Sequence, residues 1–150
     1  MDVSLTIKDA ISLYQSQVGV VNPLWTFFGT VTLAVVGYTI GSQKATRSKS
    51  KVRMIVGGYV LFALAGNLPG LCLAYSDLRQ FSALVDDRVA KLGHELPLKP
   101  FYVPSLWLVV PLHIGLVTAV AVTIVAYARS RQRRAGSGTT SSSPSSHRRR

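Results

Sequence analysis

The chain has 150 residues, 48% of them hydrophobic and only 15% charged, with a net charge of +11. This is the composition of a membrane protein, and with a single cysteine, Cys72, the chain has neither an intramolecular disulfide nor a CxxC redox pair. Charged residues leave three gaps, 10–43, 54–76 and 100–128, each longer than the roughly 20 residues a helix needs to cross a bilayer. The apolar runs are too few and too continuous for a closed barrel, and in lipid the backbone must pair within its own segment. The expected fold is therefore all-α, with three transmembrane helices and two short amphipathic helices outside them.

In chain order, residues 1–21 place Val3, Ile7, Ala10, Ile11, Tyr14 and Val18 at helical spacing, with Lys8, Asp9, Ser12, Gln15 and Ser16 opposite. The pattern predicts an amphipathic helix lying in the outer membrane interface, or packing on a partner protein. Asn22-Pro23 reads as a helix start, cap followed by proline, so the first span is expected over 22–41. A basic cytoplasmic loop, 42–53, leads to a second span over 54–76. Within the outer loop 77–104, a helix capped by Ser76 is expected to align Leu78, Phe81, Val85, Val89 and Leu92 and to stop at Gly93. Prolines 97, 100 and 104 predict an extended lead into the third span, 105–128. The remainder, 129–150, ends in "GSGTTSSSPSSHRRR" and is expected to be a disordered basic tail. Trp25, Tyr75, Tyr102 and Trp107 fall at one expected interface and Tyr38 and Tyr127 at the other.

Charge sets the orientation. The loop 42–53 holds Lys44, Arg47, Lys49, Lys51 and Arg53 without an acid, and the tail holds Arg129, Arg131, Arg133, Arg134 and three terminal arginines. All six acids, Asp2, Asp9, Asp77, Asp86, Asp87 and Glu95, lie on the other side, so the two sides carry +12 and −1. The positive-inside rule then puts the N-terminus outside and the C-terminus in the cytoplasm, in a bacterial-type inner (plasma) membrane. No basic segment with a small-residue cleavage site precedes the first span, so no removed signal peptide is expected. The loop and the first four tail arginines are the expected lipid-headgroup contacts, at about 1 kcal/mol per basic residue near the surface. With no aromatic residue interleaved for base stacking, nucleic acid is not the expected partner.

Polar and small residues inside the spans mark the candidate site. Asn67 falls about 13 Å below the outer end of the second span and His113 about 12 Å below that of the third, so they share a depth. Pro69 and Pro111 share another, and each is expected to kink its helix. Thr30 and Thr32 of the first span lie at a comparable level and complete an expected polar layer. Gly66, Gly70 and Ala74, then Gly115, Ala119 and Thr123, then Gly37 and Gly41, form small-residue ridges that permit close helix packing. An Asn67–His113 hydrogen bond between helices is the structural reading, and a small-ligand, ion or proton site at this layer is the functional one.

Enzyme chemistry finds little footing. Adjacent Asp86 and Asp87 do not face one another on a helix, His94-Glu95 lacks further metal ligands at fixed spacing, and Gly57-Gly58 follow no strand that would make a phosphate loop. No cofactor is expected, and Cys72 reads as a small packing residue. The outline of three spans, outer N-terminus and basic inner tail is similar to that of one class of phage holins, a resemblance of topology that attaches to no particular residue. The sequence thus points to a non-enzymatic membrane protein whose partners are lipids and other copies of itself or a membrane-protein complex, acting as an accessory, assembly or oligomeric subunit. The alternative is a homo-oligomeric pore or channel lined near Asn67 and His113. Ser48→Cys and Ala90→Cys are expected to react with a membrane-impermeant thiol reagent from opposite sides; labelling of Ala90→Cys from the cytoplasm alone would overturn the topology.

Overall fold

The protein is described here from a computed structural model, over residues 6–91 and 103–137. Helix α1 (Ile7–Gly41) opens on a capping box: the Asp9 backbone N–H donates to the Thr6 hydroxyl oxygen, while the Thr6 N–H and O–H donate to the Asp9 carboxylate. The box satisfies backbone donors that the first turn leaves unpaired. Asn22-Pro23 does not start a helix, because α1 runs through Pro23 without a break. The expected interfacial helix and the first span are thus one element. The reason lies in packing: Tyr14, Val18 and Val21 before the proline and Leu24 and Trp25 after it all join one cluster with Leu71, Ala74, Tyr75, Leu78 and Val109. A break would detach one set from that surface and leave further backbone groups unpaired, a heavier penalty in apolar surroundings than one missing proline N–H.

A short helix, α2 (Gln43–Arg47), occupies the expected basic loop, its N-terminus capped by the Ser42 hydroxyl, which accepts from the Ala45 N–H at 3.3 Å. Its Ala45 and Thr46 are buried. Helix α3 (Lys49–Leu61) then continues through a π-helical turn (Phe62–Asn67) into α4 (Leu68–Lys91). Pro69 is therefore absorbed by a widened turn just before it. Proline supplies no N–H to the ladder, and the π turn shifts the register so that the Leu68 N–H bonds the Ala63 carbonyl.

Ser76 does not cap a separate helix either. Leu71, Ala74, Tyr75, Leu78, Ser82 and Val85 are buried along one continuous face of α4, so the second span and the expected outer helix are again one element. The predicted stripe is real: Leu78 and Val85 are buried, Phe81 and Val89 half-buried. Its Leu78 packs in one cluster with Tyr14, Val18 and Val21 of the first helix of the same chain. Leu92, Gly93, Tyr102 and the rest of the lead expected to be extended, up to residue 102, lie outside the described residues, as do residues 1–5 and 138–150.

Helix α5 (Leu106–Ser137) starts where predicted, with the Ser105 carbonyl accepting from the Leu108 and Val109 N–H groups. It contains Pro111 and runs nine residues past the expected end at 128. Arg, Gln and Ala in 129–135 are good helix formers, and the Gln132 amide donates to the Thr46 carbonyl at 2.8 Å, tying this extension to α2. The tail expected to be disordered from 129 is therefore helical to Ser137.

Three helices, Ile7–Gly41, Lys49–Lys91 and Leu106–Ala135, are long and apolar enough to cross a membrane. At 1.5 Å per residue the second, of 43 residues, is about 65 Å long, twice the thickness of a hydrocarbon core. They pack antiparallel in sequence order, α1 mainly along α4 and α5 mainly along α3. The interior divides into three layers. One holds Val21, Leu71, Tyr75, Leu78 and Val109; a middle layer holds Phe28, Tyr59, Ala63 and Val117; and the last holds Val52, Ile124 and Ala128. Among the described residues every acid lies towards the first of these ends, and the α2 end is purely basic.

The small-residue ridges divide unequally. A Cβ added at Gly70 would sit 3.7 Å from Leu24 of α1, an ordinary contact, and Ala74 is buried beside it. At Gly66 a Cβ would meet only Phe62 of its own helix, and at Gly37, Gly41 and Gly115 nothing within 4 Å. Ala119 and Thr123 are exposed. Gly70→Leu is therefore expected to destabilise the monomer in detergent by about 1–3 kcal/mol, through overpacking against Leu24, while Gly37→Leu leaves its thermal midpoint in place; equal midpoints for the two variants would contradict the packing.

Candidate functional site

Asn67 is the last residue of the π turn, and His113 sits two residues after Pro111 on α5; they are 4% and 0% exposed. Both face the interior shared by the three helices, as the common depth predicts, yet they do not bond one another. The Asn67 amide nitrogen donates to the Leu24 carbonyl of α1 at 3.1 Å. His113 Nε2 lies 3.2 Å from the Ala63 carbonyl in the π turn. A carbonyl only accepts, so Nε2 carries the proton in this bond. The expected side-chain pair is replaced by two side chains that each reach a backbone carbonyl on a different helix, because the π turn presents the Ala63 carbonyl towards α5.

The far atoms of both side chains, Asn67 Oδ1 and His113 Nδ1, are buried without a hydrogen-bond partner. In the neutral ring, Nδ1 is an acceptor, as is Oδ1. Around them the lining is aromatic. The His113 ring lies 4.3 Å from that of Phe28 and 5.8 Å from that of Trp25, centroid to centroid. Trp25 Nε1 donates to the Tyr75 hydroxyl at 3.1 Å, so two members of the expected interfacial belt brace the layer from inside.

The threonines separate. Thr32 donates to the Phe28 carbonyl, and its hydroxyl meets that of Tyr59 at 3.1 Å, joining α1 to α3. Thr30 is exposed and bonds only the Thr26 carbonyl one turn back, so it lies outside the layer. Pro69 and Pro111 are also exposed, on the outside of their helices. Sequence reasoning missed Tyr59 and Gln17, whose amide donates to the Ala74 carbonyl at 3.2 Å. Tyr59 had a signal: a hydroxyl amid an apolar span needs a partner. Gln17 was hidden by the assumption that its segment lay in the interface.

Other candidates resolve simply. Asp86 and Asp87 are exposed, and Asp87 forms an ion pair with Lys91 one turn on, at 2.7 Å. Cys72 is a free, half-buried thiol. Among the described residues no three His, Cys, Asp or Glu side chains come together as a metal site. Of the basic residues, Arg47, Lys49, Arg131 and Arg134 line one cavity at the α2 end, and Lys49, Arg53 and Arg129 line a second beside it; Lys44, Lys51 and Arg133 line neither.

No protein-family model, no curated protein and no solved structure matches the chain.

The layer can accept hydrogen bonds and hold helices in register, and its ring packing and its polar bond are separable. His113→Phe keeps a ring against Phe28 and Trp25 but loses the donor to Ala63, and is expected to cost about 1 kcal/mol. His113→Ala opens a cavity as well and is expected to cost about 2–5 kcal/mol. Thermal unfolding in detergent that gave the same loss for both would show that the ring contacts contribute nothing.

Proposed function

We propose that the chain is a multi-pass protein of the inner (plasma) membrane, with its N-terminus outside and its C-terminus cytoplasmic, acting as a non-enzymatic accessory or assembly subunit of a membrane complex or homo-oligomer. The observation that carries this reading is the enclosure of the polar layer. Asn67 and His113 are buried, and the His113 ring packs against Phe28 and Trp25, so the lateral faces offered to other chains are apolar and small-residue lined. Leu33, Met54, Leu61, Leu73, Trp107 and Val122 stand exposed around the bundle, and Gly37, Gly41 and Gly115 open outward between them. In lipid, such surfaces favour association by close van der Waals packing, since the lipid tails remove any hydrophobic drive.

A pore built from several copies would be lined by those outward faces, and a water-filled pathway calls for polar or charged linings. That weighs against the channel reading, since Asn67 and His113 are buried within their own chain. The charge split between the two ends supports the orientation.

Crosslinking in intact membranes followed by gel filtration in mild detergent tests the proposal. The expected result is a defined complex larger than the monomer, lost on Gly115→Leu while monomer stability stays within about 0.5 kcal/mol of the parent. A monomeric chain, or a homo-oligomer that conducts ions in planar bilayers, would overturn it.

A further inference from the structure

Two cavities meet at the basic end, where α2 and the start of α3 lean on the last turns of α5. The first, of about 560 Å³, has Arg47, Lys49, Arg131 and Arg134 in its walls, with Gln132 between them. The second, of about 520 Å³, shares Lys49 and Gln132 with the first. It extends between α3 and α5 over Val52, Val56, Gly57 and Val125, with Arg53 and Arg129 also in its lining. Neither lining contains an acid among the described residues. The walls are held together, since the Gln132 amide bonds the Thr46 carbonyl of α2. One wall is also charged and unsatisfied: Arg131 lies over the Tyr127 ring, 5.2 Å from its centroid, with Nη1 buried and without a protein partner.

We propose that the two cavities form a single site for an anionic phospholipid carrying two phosphates, its headgroup among Arg47, Lys49 and Arg131 and its acyl chains over Val52, Val56, Gly57 and Val125. The inference rests on the reading that the basic end lies at a membrane surface. Arginine presents a planar fork of donors that matches phosphate oxygens, and a buried, unpaired guanidinium nitrogen is costly until an anion reaches it. A single phosphodiester would neutralise one of these cations. Two phosphates on one headgroup match the several cations, Arg47, Lys49 and Arg131, that line the first cavity. Continuity from the basic cavity into an apolar groove distinguishes a lipid from a soluble phosphate, which has nothing to lay along the valines. Headgroup contact in general is expected of any basic loop; the site assigned here divides the basic residues instead, into those that line it and Lys44, Lys51 and Arg133, which do not.

Titration of the full chain in mild detergent, followed by native mass spectrometry, tests the site with cardiolipin, phosphatidylglycerol, phosphatidylcholine and inorganic pyrophosphate as probes. Cardiolipin is expected to form a one-to-one adduct retained above the other lipids. Arg131→Gln and Arg47→Gln should each weaken it about fivefold, while Arg133→Gln, on the same helix but outside both cavities, leaves it unchanged. Gly57→Leu should also weaken it, by filling the groove, since a Cβ there enters open space with nothing within 4 Å. An equal loss in Arg133→Gln, equal retention of phosphatidylglycerol, or pyrophosphate binding as tight as that of cardiolipin would each overturn the proposal. None of these outcomes bears on subunit assembly, which the outward glycines govern.

Discussion

Backbone carbonyls are the acceptors on which this bundle is braced. In apolar surroundings a polar side chain must find a partner or bear its full desolvation cost, and here the cross-helix partner is repeatedly main chain. Gln17 reaches Ala74, Asn67 reaches Leu24, His113 reaches Ala63 and Gln132 reaches Thr46. A carbonyl has two lone pairs, so one that already closes a helical turn can accept a second bond without breaking the ladder. The Ala63 carbonyl does this, taking the Leu68 N–H within the π turn and His113 from α5. Each brace then depends on the helix being continuous and correctly turned at the accepting residue. That ties the local geometry of Pro69 and the π turn to the placement of α5.

From this follows the character of the middle layer. His113 is positioned by a bond on one edge and by the rings of Phe28 and Trp25 packed against it, and Trp25 is in turn fixed by Tyr75. Contacts therefore pass from α4 through α1 to α5 without requiring any two polar side chains from α4 and α5 to meet. The layer locks three helices at one depth, which suits the rigid subunit proposed above, and it turns polar atoms away from the lateral surface.

The two ends of the bundle are extensions of the same helices and not separate modules. Towards the acidic end, the first part of α1 and the last part of α4 cover one another's apolar stripes, with Tyr14 and Val18 against Leu78 and its neighbours. Towards the basic end, α5 continues past its apolar run and clamps α2 through Gln132. The clamp encloses the cavities between α2, α3 and α5. A basic loop that served only to set topology would need no such walls, and this difference motivates the assignment of a lipid to them.

Composition and charge spacing by themselves determined the number of helices able to cross a membrane, the start of α5, the amphipathic stripes of residues 7–18 and 78–89, and the depth shared by Asn67 and His113. These depend on periodicity and length, which are local properties of a helix. Tertiary structure alone decided where helices continue and what the polar atoms touch. Asn22-Pro23 and Ser76 are sound helix-start signals in isolation, but packing on both sides of each keeps α1 and α4 unbroken. Likewise depth brings Asn67 and His113 to one level, but their partners depend on helix rotation and on a π turn that shifts the register before Pro69. Helix rotation also decides why Gly70 meets Leu24 while Gly37 and Gly115 face outward. A residue's position along the chain gives its height in the bundle; the direction it faces follows only from which neighbours the three helices choose.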